Sequence, residues 1–171
     1  MVNNPKIFVI SGPPGSGKTT IGKLLAERIK NSAIVSTDTI RYLIKNGKAD
    51  RGNEDWQKQL NLGAKGACLL ANNFLENGFN VFLDDVVCIE ERMNIYSENL
   101  IEPVFITLLP SREVVAKRDL ERGEELAMNE RAMYLYDKIV DFLGVEKRFV
   151  VFDTTNETPE ESVEKIIEMF F

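Results

Sequence analysis

Gly12-Pro13-Pro14-Gly15-Ser16-Gly17-Lys18-Thr19 matches G-x-x-x-x-G-K-[ST], and its flanks decide what the match means. An apolar run, Ile-Phe-Val-Ile at 7–10, precedes it, and the helical pattern Ile21, Leu24, Leu25, Ile29 follows. A strand feeding a glycine-rich turn that opens a helix is a cradle for phosphate. Backbone N–H groups converge on the anion, and the helix N-terminus adds positive potential. The glycines permit positive φ and close approach of the backbone to the ligand. The expectation is that residues 12–19, with Thr20 just beyond, hold a nucleotide's phosphates. Lys18 reaches the β/γ-phosphates, and the Thr19 hydroxyl ligates Mg²⁺. The competing reading is a Gly/Pro turn with a surface lysine. Chance alone would produce the four fixed positions in roughly one per cent or less of chains this long, and the strand and helix around them lower that further.

The 171 residues suffice for one domain with a full core, and 44% apolar with 28% charged residues is ordinary globular composition. The net charge of −6 argues against broad affinity for nucleic acid. With no histidine in the chain, histidine catalysis and histidine metal ligation are excluded. Cys68 and Cys88 form no C-x-x-C pair and no disulfide framework, which fits a reducing compartment. Cys68 falls on an apolar helix face and reads as a core thiol. Cys88 follows an acidic pair and could lie near a site, but packing is the preferred reading. No secretory pattern opens the chain and no 18-residue apolar stretch occurs, so the expectation is a cytoplasmic protein without a membrane span.

Short apolar runs at 7–10, 33–35, 81–83, 104–109 and 149–152 alternate with helical patterns. The runs are rich in β-branched residues or Phe, as buried parallel strands are. One helix reads Leu60, Ala64, Ala67, Ala71, Phe74, with Gly78 as its stop; another reads Met133, Tyr136, Val140, Leu143, followed by Gly144. The last reads Val163, Ile166, Ile167, Phe170. Thr158 caps it, Pro159 sits in its first turn, and Glu161 completes a capping box. Strand alternating with helix implies an α/β fold, a parallel sheet covered on both faces, and ligands beyond the carboxyl ends of the strands. The chain reads as one domain over 1–171. Two charged stretches, 46–55 and 121–130, are candidate substrate loop and lid.

Three polar clusters fall just after strands. In Thr37-Asp38-Thr39-Ile40-Arg41, Asp38 can accept a proton from an attacking hydroxyl, and a helix there would set Arg41 on the same face. The bland alternative is a capping Asp38 and a solvated Arg41. Asp84 and Asp85 end the third run, where a carboxylate is the usual Mg²⁺ partner of a phosphate loop. Alternation sends the two side chains opposite ways, and the pattern alone does not say which faces the nucleotide. Asp84 is provisionally given the metal and Asp85 the substrate. The third cluster, Arg112, Lys117, Arg118 and Arg122, follows the fourth run, with Arg118 and Arg122 four apart on one helix face. Arginine forks suit phosphate oxygens, whereas Glu121, Glu124 and Glu125 allow a mere ion-paired surface helix. The loop 153–156 could border the nucleobase. Trp56 could line a substrate pocket, although packing is the preferred reading.

Together the phosphate loop, Asp38 with Arg41, Leu-Asp-Asp-Val-Val at 83–87, the Arg118/Arg122 helix and Asp-Thr-Thr…Pro-Glu-Glu at 153–161 resemble P-loop small-molecule kinases. The nearest resemblance is to chloramphenicol phosphotransferase-like proteins and related ATP-dependent kinase-like families. Gluconate and shikimate kinases and polynucleotide 5′-kinases are more distant. The resemblance implies a three-layer P-loop NTPase fold with five parallel strands in order 2-3-1-4-5 and an arginine lid at about 118–130. It implies transfer of the ATP γ-phosphate to a hydroxyl of a small molecule with Mg²⁺. Asp38 would be the base, Arg41 a substrate or phosphate contact, Arg118 and Arg122 lid cations, and Thr155 part of the nucleotide-base loop. Rival readings are a polynucleotide 5′-kinase, which the acidic balance disfavours, and a non-catalytic nucleotide-binding module. No N-K-x-D guanine motif occurs.

Overall fold

The computed structural model describes residues 4–125 and 127–171; Met1, Val2, Asn3 and the lid position Leu126 lie outside them. Five parallel strands form one sheet in the order β2-β3-β1-β4-β5, as expected. They are β1 (Ile7–Ser11), β2 (Ser32–Ser36), β3 (Asn80–Asp84), β4 (Val104–Leu108) and β5 (Phe149–Phe152). The helices are α1 (Lys18–Arg28), α2 (Thr37–Arg41), α3 (Asp55–Glu76), α4 (Glu90–Asn99), α5 (Arg112–Leu120), α6 (Glu130–Val145) and α7 (Pro159–Phe170).

Strand alternation builds two cores from one central strand. Ile7 and Val9 of β1 pack with α3, α4 and Phe142 and Leu143 of α6 through Ala64, Ala67, Cys68, Met93 and Tyr96. Phe8 and Ile10 pack on the opposite face with Ile21 and Leu25 of α1 and Val163 and Ile166 of α7. All five β1 residues are fully buried, Ser11 included, so this strand has no solvent-facing side. Register sets Ile10 beside Asp84 and Ser36 beside Asp84, so the strand ends converge.

The ends of the helices follow local chemistry. After α3, Gly78 at φ 86° lets its N–H reach the Leu75 carbonyl at 2.9 Å, while the Phe79 N–H reaches the Phe74 carbonyl at 3.0 Å. On α7 the capping box forms as read: Glu161 N–H donates to Thr158 Oγ1 at 3.2 Å and Thr158 N–H to Glu161 Oε2 at 2.8 Å.

Three features depart from the sequence reading. Helix α4 carried no expectation, although Met93, Tyr96 and Leu100 stand at helical spacing. Gly144 does not stop α6, which runs on to Val145. The buried face of α6 is Ala132, Leu135 and Ile139, one step from the expected Met133, Tyr136 and Val140, and Val140 is exposed. Helix α6 packs against α5 on one side and, through Phe142 and Leu143, against the core below β1. Among the described residues, no helix is long and apolar enough to cross a membrane.

Candidate active site

The turn from β1 to α1 is built around glycines. A Cβ on Gly12 would lie 2.4 Å from the Leu108 carbonyl and 2.5 Å from Ser16 Oγ, so no side chain fits there. Gly15 and Gly17 hold φ 82° and 94°, which L side chains rarely adopt. Ser16 N–H closes the turn on the Pro13 carbonyl at 3.1 Å. Ser16 Oγ is buried without a hydrogen-bond partner, a polar group that a phosphate oxygen could satisfy. Lys18 Nζ donates to the carbonyls of Gly12 at 2.9 Å and Pro13 at 3.1 Å. Burial pushes its ammonium below the ordinary lysine range. Asp84, Asp85 and Asp38 pull it back up, and Arg122 pushes it further down.

Pro14, Gly15, Ser16, Gly17, Lys18, Thr19 and Thr20 line a cleft of about 680 Å³ beyond the carboxyl ends of the strands. Asp38, Asp84 and Asp85 line one side, Arg118 and Arg122 another, and Thr154 with Glu157 a third. This is where an open parallel sheet places a ligand.

Thr19 Oγ1 donates to Asp84 Oδ2 at 2.7 Å. Two oxygens on neighbouring corners of an Mg²⁺ octahedron stand about 2.9 Å apart, given metal–oxygen distances near 2.05 Å. The pair therefore fits Mg²⁺ as two protein-side oxygens, and Mg²⁺ characteristically fills its other positions with water and phosphate. Among the described residues, no cluster of three or more histidine, cysteine or acidic side chains stands ready to hold a metal ion.

Asp85 faces the other side of β3. Its Oδ1 accepts from Thr37 Oγ1 at 2.8 Å, its Oδ2 accepts from the Tyr96 hydroxyl, and Arg92 Nη1 stands 3.3 Å from that oxygen. Arg92 is itself buried and donates to the Leu60 carbonyl at 2.8 Å. Burial, with Asp85 second, pushes the Tyr96 phenol well above its usual range, so it stays protonated and donates. The expected substrate carboxylate thus touches the cleft but is tied into a buried network. Arg92 and Tyr96 went unread because α4 did.

Helix α2 starts as β2 ends and puts Asp38 at the cleft with its side chain about two-thirds exposed. Arg41 Nη2 stands 3.3 Å from Asp38 Oδ1, the shared face that i, i+3 spacing implies. Arg41 does not line the cleft. Its buried guanidinium stacks between the rings of Tyr42 (4.8 Å) and Trp56 (4.6 Å), and its Nε and Nη1 have no hydrogen-bond partner. Trp56 does not line the cleft either, and the packing reading holds: it stacks on Arg41. Helix α2 fits against α3 because α3 carries Gly63, where a Cβ would come 2.9 Å from the Thr37 carbonyl.

Helix α5 ends at Leu120, so Arg122 lies in the following turn rather than on a helix face shared with Arg118. Both nonetheless line the cleft. Arg118 Nη2 donates to the Thr154 carbonyl at 3.3 Å. Thr155, the expected base-loop contact, is not among the lining residues: its Oγ1 accepts from Ser111 N–H at 2.8 Å and pairs with Asp153. Thr154 lines the cleft instead and leaves a buried hydroxyl unpaired. Cys68 is buried, and burial lifts its thiol to about 12; burial also raises the half-buried Cys88 thiol.

Comparison with known proteins bears on this geometry. A family profile described as AAA domain matches residues 8–136. A protein of Thermococcus onnurineus, provisionally named adenylate kinase, is 30% identical over 165 residues, spanning 94% of this chain and 82% of its own length. A protein of Thermococcus gammatolerans under the same provisional name is 27% identical over 168 residues, spanning 95% and 84%. The tunicamycin resistance protein of Deinococcus radiodurans superposes with a TM-score of 0.73 at 18% identity, covering 96% of this chain and 95% of that one. Thymidylate kinase of Candida albicans gives 0.69 at 11% identity, covering 97% and 91%. At such identities the two solved structures speak for the fold alone.

Proposed function

We propose an acceptor and residue roles for a chain that belongs to the AAA domain family and is an ATP-binding P-loop kinase. The acceptor is a hydroxyl of a small molecule. The observation that carries this is Asp38, a solvent-facing carboxylate at the cleft, close enough to Lys18 for each to feel the other's charge. A hydroxyl must lose a proton to attack phosphorus, and a carboxylate at hydrogen-bond reach can take it.

ATP phosphates occupy the turn at 12–19. Lys18 leaves its carbonyl partners to meet the β/γ oxygens. Thr19 and Asp84 hold Mg²⁺, which when bound neutralises charge on those oxygens. Asp38 orients and deprotonates the acceptor, and Arg41 holds Asp38 in place. Arg118 and Arg122 stabilise charge on the transferring phosphoryl group. Thr154, whose carbonyl accepts from Arg118, borders the nucleotide's far end.

A second reading takes the acceptor as a nucleotide phosphate. The provisional adenylate kinase name of the Thermococcus relatives favours it. Against it stands Asp38, whose exposed carboxylate at the cleft would repel an incoming phosphate. One experiment separates the two: ATP consumption measured against nucleoside monophosphates and against neutral sugars, nucleosides and hydroxylated antibiotics, with Lys18→Ala as the blank. Turnover with AMP or another monophosphate, and with none of the hydroxyl compounds, would replace the hydroxyl reading.

A further inference from the structure

Asp119, in the last turn of α5, carries a carboxylate only 1% exposed, yet it accepts from three donors. Arg122 Nη1 meets Oδ1 at 3.2 Å, while the backbone N–H groups of Met128 and Asn129 meet Oδ2 at 2.8 and 2.7 Å. One buried charge therefore joins the last turn of α5, the turn after it and the entry to α6. That turn needs such a clamp, because it runs through Gly123 at φ 86° and reaches Asn129 at φ 49°, unusual for a residue with a side chain. The same stretch touches the phosphate loop: a Cβ on Gly15 would stand 3.1 Å from Asp119 N and 3.0 Å from the Val115 carbonyl.

We infer that Asp119 is a positioning residue that fixes Arg122 over the phosphate end of the cleft. The inference rests on the reading of Arg122 as a cation for phosphoryl transfer. An arginine on an exposed turn keeps most of its rotamers and must lose them to act. Asp119 removes that freedom in advance by holding one nitrogen through a charge-assisted bond. Among the described residues, the other guanidinium nitrogens make no hydrogen bond and remain available to phosphate oxygens. Arg122 is 39% exposed on its side chain and lines the cleft, and its charge reaches Lys18. A plain loop brace would need only the two backbone bonds.

The test is a double-mutant cycle on the full chain, using Mg·ATP alone as probe and reading kcat and KM of basal ATP hydrolysis. Arg122→Ala should lower kcat at least tenfold, and Asp119→Asn should match it, each leaving the KM for ATP within about threefold. The double variant should be no worse than Arg122→Ala beyond about twofold, because the carboxylate acts only through that side chain. If Asp119→Asn leaves kcat unchanged, or if the two losses multiply, Asp119 only braces the loop and the inference is overturned. If Arg122→Ala alone is harmless, the lid reading fails first and this one with it, a pattern distinct from the previous two. Should circular dichroism show Asp119→Asn unfolded, Asp119→Glu replaces it: it keeps the charge, misplaces the arginine, and should lose activity only when Arg122 is present.

Discussion

Lys18 and Asp38 are assigned to different halves of one reaction, and their removal should read differently. Lys18→Ala strips the cation nearest the β/γ-phosphates and should abolish turnover and weaken Mg·ATP binding in a direct titration. Asp38→Asn keeps shape and removes the base. It should cut kcat about 10²–10⁴-fold with ATP affinity nearly intact. Loss of an arginine at the transferring phosphoryl is worth about 10³–10⁵-fold, so Arg122→Ala should hurt at least as much as Asp38→Asn. Equal binding but a milder Arg122 effect would undo the lid assignment. The contacts legible from sequence were local ones: Lys18 within its own turn, and Arg41 three places from Asp38. Asp84 and Asp85 needed the fold. Asp84 shares its strand face with Phe82, on the α1 side where Thr19 lies, and Asp85 shares that of Leu83, toward Tyr96. Parity alone gave two options until the helices over each face were known. The same parity, carried from buried Phe152, points to Thr154 rather than Thr155.

Whole elements were legible where periodicity and punctuation agreed, as in α7 with its capping box and β1 with its apolar run at 7–10. Helix α4 lacked that agreement, because its inward face includes Arg92, a charge that pattern reading assigns to solvent. Its burial depends on Asp85, seven residues back just past the end of β3, a partner that helical periodicity does not reveal. Packing between elements makes a further prediction. Gly63→Ala pushes a Cβ to 2.9 Å from the Thr37 carbonyl, and a backbone atom cannot yield cheaply. It should destabilise by about 1–3 kcal/mol and displace Asp38 with α2. Gly22→Ala in α1 meets no atom within 4 Å and should stabilise by roughly 0.5–1 kcal/mol through helix propensity. Urea melts of the two variants should move in opposite directions; a shared direction would mean that the contact between α2 and α3 is looser than 2.9 Å implies.

At the scale of the molecule, the strand order was legible only through resemblance, since alternation of strand and helix does not order a sheet. What spacing did dictate is that Cys68 lies on the face of α3 that packs against the sheet, and this allows the stability of the whole fold to be read by one thiol. Cys68 is 1% exposed and its thiol is raised to about 12. The thiolate is the nucleophile, and at pH 8 a pKa of that height leaves roughly one part in 10⁴ ionised. Because the folded pKa is the higher one, the folded thiol stays overwhelmingly neutral from pH 7 to 9, and even at pH 9 only about one part in 10³ is thiolate. Alkylation of Cys68 therefore waits on opening of the core between α3 and the sheet, whereas half-buried Cys88 should react first. A ligand that binds only the folded chain suppresses global opening by 1 + [L]/Kd. Mg·ATP at about 100 times its Kd should slow Cys68 alkylation about 100-fold, and Lys18→Ala should remove that protection. Alkylation of Cys68 at a rate indifferent to Mg·ATP in the parent chain would mean that α3 opens locally, without the nucleotide cleft coming apart.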